Sequence, residues 1–160
     1  ENNQLIPHPE PLELADEVAE LLEFYGVLAE EKEIRLSVVG HGTVSGDRLM
    51  LRRAISNLLS NALRYTPVGG TVTVRIETQG DEAVKLTVEN TGPCIAAEHL
   101  PRLFDRFYRT DSARQRTTEG SGLGLAITRS ILIAHGGDVS VSSAEGITRF
   151  TLSLPVGSQL

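Results

Sequence analysis

The chain has 160 residues, 40% hydrophobic and 22% charged, which is the size of one globular domain. A single cysteine, Cys94, excludes an internal disulfide framework and a cysteine-rich zinc site. With 15 Lys and Arg against 21 Asp and Glu, the net charge of -6 argues against a bulk electrostatic grip on nucleic acid or an anionic membrane, and no apolar run is long enough to span a bilayer.

In chain order, residues 1–11 (ENNQLIPHPEP) are polar with three prolines and read as a linker entering a domain that runs from 12 to 160. The chain opens on Glu rather than Met, so it reads as a piece of something longer. From Leu12 to Lys32, apolar residues Leu14, Val18, Leu21, Leu22, Tyr25, Leu28 and Ala29 fall at helical spacing. Ile34, Leu36 and Val38 alternate as a strand, and 40–46 reads as a loop. Asp47 is placed to cap a long helix whose inner face is Leu51, Ala54, Ile55, Leu58, Leu59, Ala62 and Tyr65, ended by Pro67 and Gly69-Gly70. Val72, Val74 and Ile76, then Val84, Leu86 and Val88, predict two antiparallel strands around a turn at 79–82. A short helix is expected around Ala97 to Phe104. Residues 111–121 carry one aliphatic side chain, Ala113, and read as a mobile loop. Leu123 to His135 predicts a third long helix closed by Gly136-Gly137, followed by strands at Val139–Val141 and Phe150–Leu154. Five strands with alternating faces imply one buried sheet face covered by all three long helices, a two-layer α+β sandwich.

Four constellations could carry chemistry. Asn57 and Asn61, four apart, share one helix stripe, with Arg64 a turn beyond. Two carboxamides in register offer oxygens to a hard cation and NH groups to phosphate, though a solvated polar stripe has the same spacing. Glu89-Asn90-Thr91-Gly92-Pro93-Cys94-Ile95 leaves a strand. Asn90 there can pair with an adenine edge and Gly92 lets a flat ring approach the backbone, but an ordinary turn would read the same. Leu103-Phe104-Asp105-Arg106-Phe107-Tyr108-Arg109 contains a Phe pair three apart, a simple core pair by default, and arginines able to reach phosphates. Gly120-Ser121-Gly122-Leu123-Gly124-Leu125 runs glycine-rich backbone into a helix N-terminus, an arrangement that suits an anion. It is not the dinucleotide fingerprint, which needs a glycine where Leu125 stands, and there is no Gly-Lys pair for a P-loop.

Asn-Leu-Leu-x-Asn-Ala, the Gly-containing strand exit, Phe-x-x-Phe and Gly-x-Gly-Leu-Gly-Leu, in that order, resemble the catalytic ATP-binding domain of sensor histidine kinases. That domain belongs to the gyrase/Hsp90/histidine-kinase/MutL superfamily, and the resemblance covers Leu12 to Pro155. Residues 46–53 (GDRLMLRR) and Val88-Glu89-Asn90 look most like the heavy-metal (copper/silver) responsive subgroup. The resemblance implies a Bergerat/GHKL-type fold with a mobile ATP lid. It further implies that Asn57 and Asn61 hold Mg²⁺ and the ATP phosphates as the catalytic pair, and that Arg64 and Tyr65 line the phosphates and adenine. Asn90, Gly92, Cys94 and Ile95 would bind adenine; Phe104 and Phe107, with Arg109, would sit at the near hinge of the lid. Gly120, Ser121, Gly122, Leu123, Gly124 and Leu125 would lie at the far hinge, beside the triphosphate. The family usually has Asp where Asn90 stands and Gly where Cys94 stands. A neutral acceptor and a restricted backbone are both expected to weaken nucleotide binding.

The implied reaction transfers the ATP γ-phosphoryl to a histidine on a partner dimerisation domain, from which a response regulator would be served. Hydrolases of the superfamily carry a Glu at the position of Asn57, and an amide cannot take a proton from water. None of His8, His41, His99 and His135 is followed by an acidic residue, so this chain is not expected to phosphorylate itself. The stimulus would be sensed by a part of the parent absent here, and the chain is expected to be a soluble, cytoplasmic portion of an inner-membrane protein with no nucleic-acid partner and no direct membrane contact. A hydrolase of the same fold, a non-enzymatic nucleotide-binding module and a serine kinase acting on a sigma factor share these boxes.

Overall fold

The computed structural model describes residues 8–105 and 124–156. Among them, strands β1 (Pro9–Glu13), β2 (Arg35–Gly40), β3 (Thr43–Asp47), β4 (Thr71–Gln79), β5 (Ala83–Thr91), β6 (Asp138–Ala144) and β7 (Ile147–Pro155) accompany helices α1 (Leu14–Glu31), α2 (Arg48–Tyr65) and α3 (Gly124–Ala134). Five strands form one mixed sheet in the order β2-β4-β5-β7-β6, with β2 parallel to β4 and every other pair antiparallel. Its inward face presents Val72, Val74 and Ile76, then Val84, Leu86 and Val88, then Phe150, Leu152 and Leu154, all buried. Strict alternation makes this face continuous, because a period of two puts every second side chain on one side. The three helices lie on it, α1 against β2 and β4, α2 against β5, and α3 against β6 and β7. Leu51, Ala54, Ile55, Leu58 and Leu59 of α2 are at the centre of the core.

The expected two-layer sandwich is therefore what the chain forms, with two corrections at its N-terminal edge. The 40–46 segment, read as a loop, contains most of β3. Residues 9–11, read as linker, begin β1, which pairs antiparallel with β3 from Pro9↔Asp47 to Glu13↔Thr43. Proline is tolerated because this is a two-stranded edge with no central ladder to interrupt. Side chains add anchors: Glu13 Oε2 accepts from the Gly42 N–H at 2.8 Å, and Asp47 Oδ2 from the His8 N–H at 3.2 Å. Asp47 does cap α2, its Oδ1 accepting the Met50 N–H at 3.0 Å.

Two further differences are local. The helix expected at 97–104 is a 3₁₀ segment, Ala97–Arg102, with Pro101 inside it. Phe104 packs edge-on against Phe150 of the sheet, with ring centroids 6.0 Å apart. At the far end of α3, Gly136 at φ +82° turns the chain, as the glycine pair predicted. Neighbouring His135 is structural: its Nδ1 lies 2.8 Å from Ile131 O, and its Nε2 accepts the Asp47 N–H at 3.1 Å, tying α3 to the start of α2.

Candidate functional site

The strand register shows where the sheet stops being hydrocarbon. One inward row runs Ile76–Leu86–Leu152–Val139 and the next Val74–Val88–Phe150–Val141. The third runs Val72–Asn90–Thr148–Ser143. Asn90 is 6% and Thr148 4% exposed. Buried polar groups need partners, and Ser143 Oγ lies 2.7 Å from Thr148 Oγ1 while accepting the Ile95 N–H at 2.8 Å. The only hydrogen bond of Asn90's side chain among the described residues is a long one, Nδ2 to Thr91 O at 3.4 Å. Its carboxamide thus retains most of its bonding capacity for a ligand edge.

The segment leaving β5 is held against this row. Gly92 N–H donates to Gly146 O at 3.0 Å, and Gly146 N–H donates to Cys94 Sγ at 3.2 Å. Gly92 has φ +144°, and a Cβ there would meet Pro67 Cδ at 2.9 Å and Tyr65 O at 3.4 Å. Both the backbone conformation and the contact with the end of α2 therefore favour glycine. Cys94 is different. Among the described residues the non-glycine positions with positive φ are Glu33 and Glu145, so the side chain at Cys94 imposes no left-handed strain. The expectation that Cys94 would weaken binding through a restricted backbone loses its physical basis.

Along α2, Asn57 and Asn61 are half-buried on the stripe beside the core, and Arg64 and Tyr65 are exposed in the last turn, the Arg64 guanidinium 5.7 Å from the Tyr65 ring centre. Asn57 Nδ2 donates to Gly124 O at 3.1 Å and to Thr128 Oγ1 at 3.3 Å. Asn57 thus meets Gly124, the first described residue of α3. Leu125 packs partly buried against the core. Phe107, Arg109, Gly120, Ser121, Gly122 and Leu123 lie outside the described residues, as does the expected lid.

Two groups of the expected residues are thus each held together: Asn57 with Gly124 at α3, and Gly92, Cys94 and Ile95 with the end of α2 and the β6–β7 hairpin beside Asn90. Thr128, which accepts from Asn57, and Thr148 and Ser143, which continue the row of Asn90, escaped the sequence reading. A threonine inside a helix or strand has no spacing signature, although Thr148 extends the inward period of β7 and Thr128 sits on the buried stripe of α3.

Comparison with known proteins agrees with this fold. Residues 46–158 match the family model of histidine kinase-, DNA gyrase B-, and HSP90-like ATPases. Sensor histidine kinase CusS of Escherichia coli (strain K12) is 58% identical over 156 residues, 97% of this chain and 32% of that protein. The probable sensor kinase SilS of Salmonella typhimurium is 48% identical over 162 residues, 97% of this chain and 32% of that protein. Among solved structures, the mycobacterial sensor histidine kinase MprB superposes with a TM-score of 0.81 at 31% identity, covering 94% of this chain and all of that one. Full-length ShkA in complex with AMPPNP gives 0.83 at 26% identity, over 99% of this chain and 33% of that one. The chain spans about a third of the length of the curated relatives it matches.

Proposed function

The chain belongs to the family of histidine kinase-, DNA gyrase B-, and HSP90-like ATPases, and from that premise we propose that it is the part of a sensor histidine kinase that binds Mg²⁺·ATP and presents the γ-phosphoryl to a histidine on a separate dimerisation domain. The observation that supports this reading is the junction of Asn57 with Gly124, which joins the first of the two carboxamides to the N-terminal part of α3.

Within that site, Asn90 supplies an amide able to accept from an exocyclic amine and donate to a ring nitrogen, and Gly92 lets the strand exit close against Pro67 and Tyr65 at the end of α2. Asn57 and Asn61 fit Mg²⁺: the Asn57 NH₂ is engaged by protein acceptors, so its oxygen is the atom left for a hard cation, and Asn61 stands one turn along. Bound there, Mg²⁺ would supply charge neutralisation on the phosphates. The glycines expected to lead into α3 would add backbone N–H donors to the phosphates. Amides at 57 and 61 orient but cannot deprotonate water, and a neutral imidazole needs no base to act as a nucleophile. These features favour delivery of the phosphoryl group to another domain over hydrolysis.

The wider setting is part of the same proposal. Residues 12–160, with β1 reaching back to Pro9, form the catalytic ATP-binding domain, and the preceding residues lead from the histidine-bearing dimerisation domain. The parent would be an inner-membrane, metal-responsive sensor with this domain in the cytoplasm and a response regulator as its downstream partner. Among the described residues no helix is long and apolar enough to cross a membrane. The test is to mix the chain with its parent's dimerisation domain and γ-labelled ATP. Label on that domain's histidine is expected, with none on the chain alone. Steady ATP hydrolysis independent of the added domain, without label transfer, would contradict the kinase reading.

A further inference from the structure

A carboxamide can turn either its oxygen or its NH₂ toward a ligand, and only the oxygen can face a cation. Two neighbours decide which way Asn57 turns. Gly124 O, a carbonyl that can only accept, is 3.1 Å from Asn57 Nδ2. Thr128 Oγ1 is 3.3 Å from the same nitrogen. The Thr128 hydroxyl has one proton, and its acceptors are Gly124 O at 3.0 Å and Ala54 O at 3.5 Å, both carbonyls of the protein. With the proton committed there, the hydroxyl meets Asn57 with a lone pair. Turning the amide over would set Oδ1 against the Gly124 carbonyl oxygen, and the Thr128 hydroxyl could meet Oδ1 only by giving up its own bond to a protein carbonyl, so the arrangement with Nδ2 inward keeps more hydrogen bonds. Thr128 is 0% exposed, so no bulk water stands in for the lost partner.

We propose that Thr128 is a positioning residue for the cation site: its hydroxyl holds the Asn57 amide with Nδ2 inward and Oδ1 outward, toward the phosphate-bound Mg²⁺. This rests on the Mg²⁺·ATP reading above. Thr128 touches neither nucleotide nor metal; it acts through Asn57. A threonine in a helix often bonds back to the carbonyl four residues earlier, and that bond to Gly124 would exist without any site. The part specific to function is the second role of the same oxygen, accepting from Asn57.

The test compares wild type with Thr128→Val, which keeps the shape and removes the hydroxyl, and with Thr128→Ser, which keeps the hydroxyl. ATP is titrated calorimetrically into each, once with Mg²⁺ and once with EDTA. Wild type is expected to bind more tightly with Mg²⁺. In Thr128→Val that tightening should shrink by about tenfold or more, the scale seen when a metal ligand loses its hydrogen-bonded support, while affinity in EDTA stays within about twofold of wild type. Thr128→Ser should restore the tightening. Thermal melting checks that each variant folds, and Thr128→Ala, the second hydroxyl deletion, carries the same expectation if the valine variant does not fold. Full tightening in a folded variant without the hydroxyl overturns the role of Thr128 and leaves the Mg²⁺·ATP reading standing. Absence of tightening in wild type overturns that reading, and the role of Thr128 with it.

Discussion

Along β5, Leu86 and Val88 face the helices among apolar partners on both neighbouring strands, while Asn90, on the same face of the same strand, meets Thr148 and through it Ser143. The change takes one residue pair, less than 7 Å of strand at about 3.4 Å per residue. On α2 the corresponding change runs around the helix: Leu58 and Leu59 are fully buried, and Asn57 beside them reaches Gly124 and Thr128. The same elements thus carry the core and the site, and what separates them is which row or stripe a residue occupies. Apolar rows stabilise through area removed from water, whereas a buried polar row is tolerable only when its groups find partners. The described part of the site meets that condition, with no fully buried side-chain nitrogen or oxygen lacking a partner among the described residues.

If the division is real, two substitutions on β5 should have opposite signatures. Leu86→Ala, in the hydrocarbon row, should cost about 2–5 kcal/mol of stability, a fall in Tm of roughly 5–15 °C for a chain of this size. ATP affinity of the folded protein should be nearly unchanged; differential scanning calorimetry and titration together decide it. Asn90→Asp, in the polar row, should do the reverse. A charged acceptor is worth about 1 kcal/mol more than a neutral one, so ATP should bind about fivefold more tightly at neutral pH. Unchanged or weaker binding would contradict the expectation that a neutral acceptor at this position weakens nucleotide binding.

The smallest effect concerns neither row but the cap that starts α2. The Met50 N–H is the largest influence on the Asp47 carboxyl and holds its pKa below the ordinary value; burial opposes this, and the His8 N–H assists. A depressed folded pKa means that the stabilisation is present above the unfolded value near 4 and is lost as pH falls through the folded one. Asp47→Asn keeps a capping oxygen but removes the titration. Its melting temperature should change little at pH 7 and decline less steeply than wild type below about pH 4. Parallel melting curves down to pH 3 would show that Asp47 does not contribute to acid lability.

How far all this could be read in the sequence follows from the same physics. β4, β5 and β7 were legible because one face is fully covered and every second residue must then be apolar. β1 and β3 were not: Pro9, Pro11 and Gly46 break any alternation, and the pair is held by backbone pairing and the Glu13 and Asp47 carboxylates rather than by pattern. Asn57 and Asn61 showed themselves through four-residue spacing, and Gly92 through its place after a strand. Thr128 did not, because its role depends on α3 lying against α2, a contact 71 residues away in sequence. Cys94 occupies a position without a positive φ, so its side chain adds no left-handed strain there.

The account stands or falls on two carboxamides from one helix stripe acting together on a cation-bound triphosphate. Its most direct test is ATP titration of wild type and Asn61→Ala, each with Mg²⁺ and with EDTA. Wild type should bind more tightly with Mg²⁺ than without it, and Asn61→Ala should erase most of that difference while remaining folded. Equal Mg²⁺ dependence in the two proteins would contradict it.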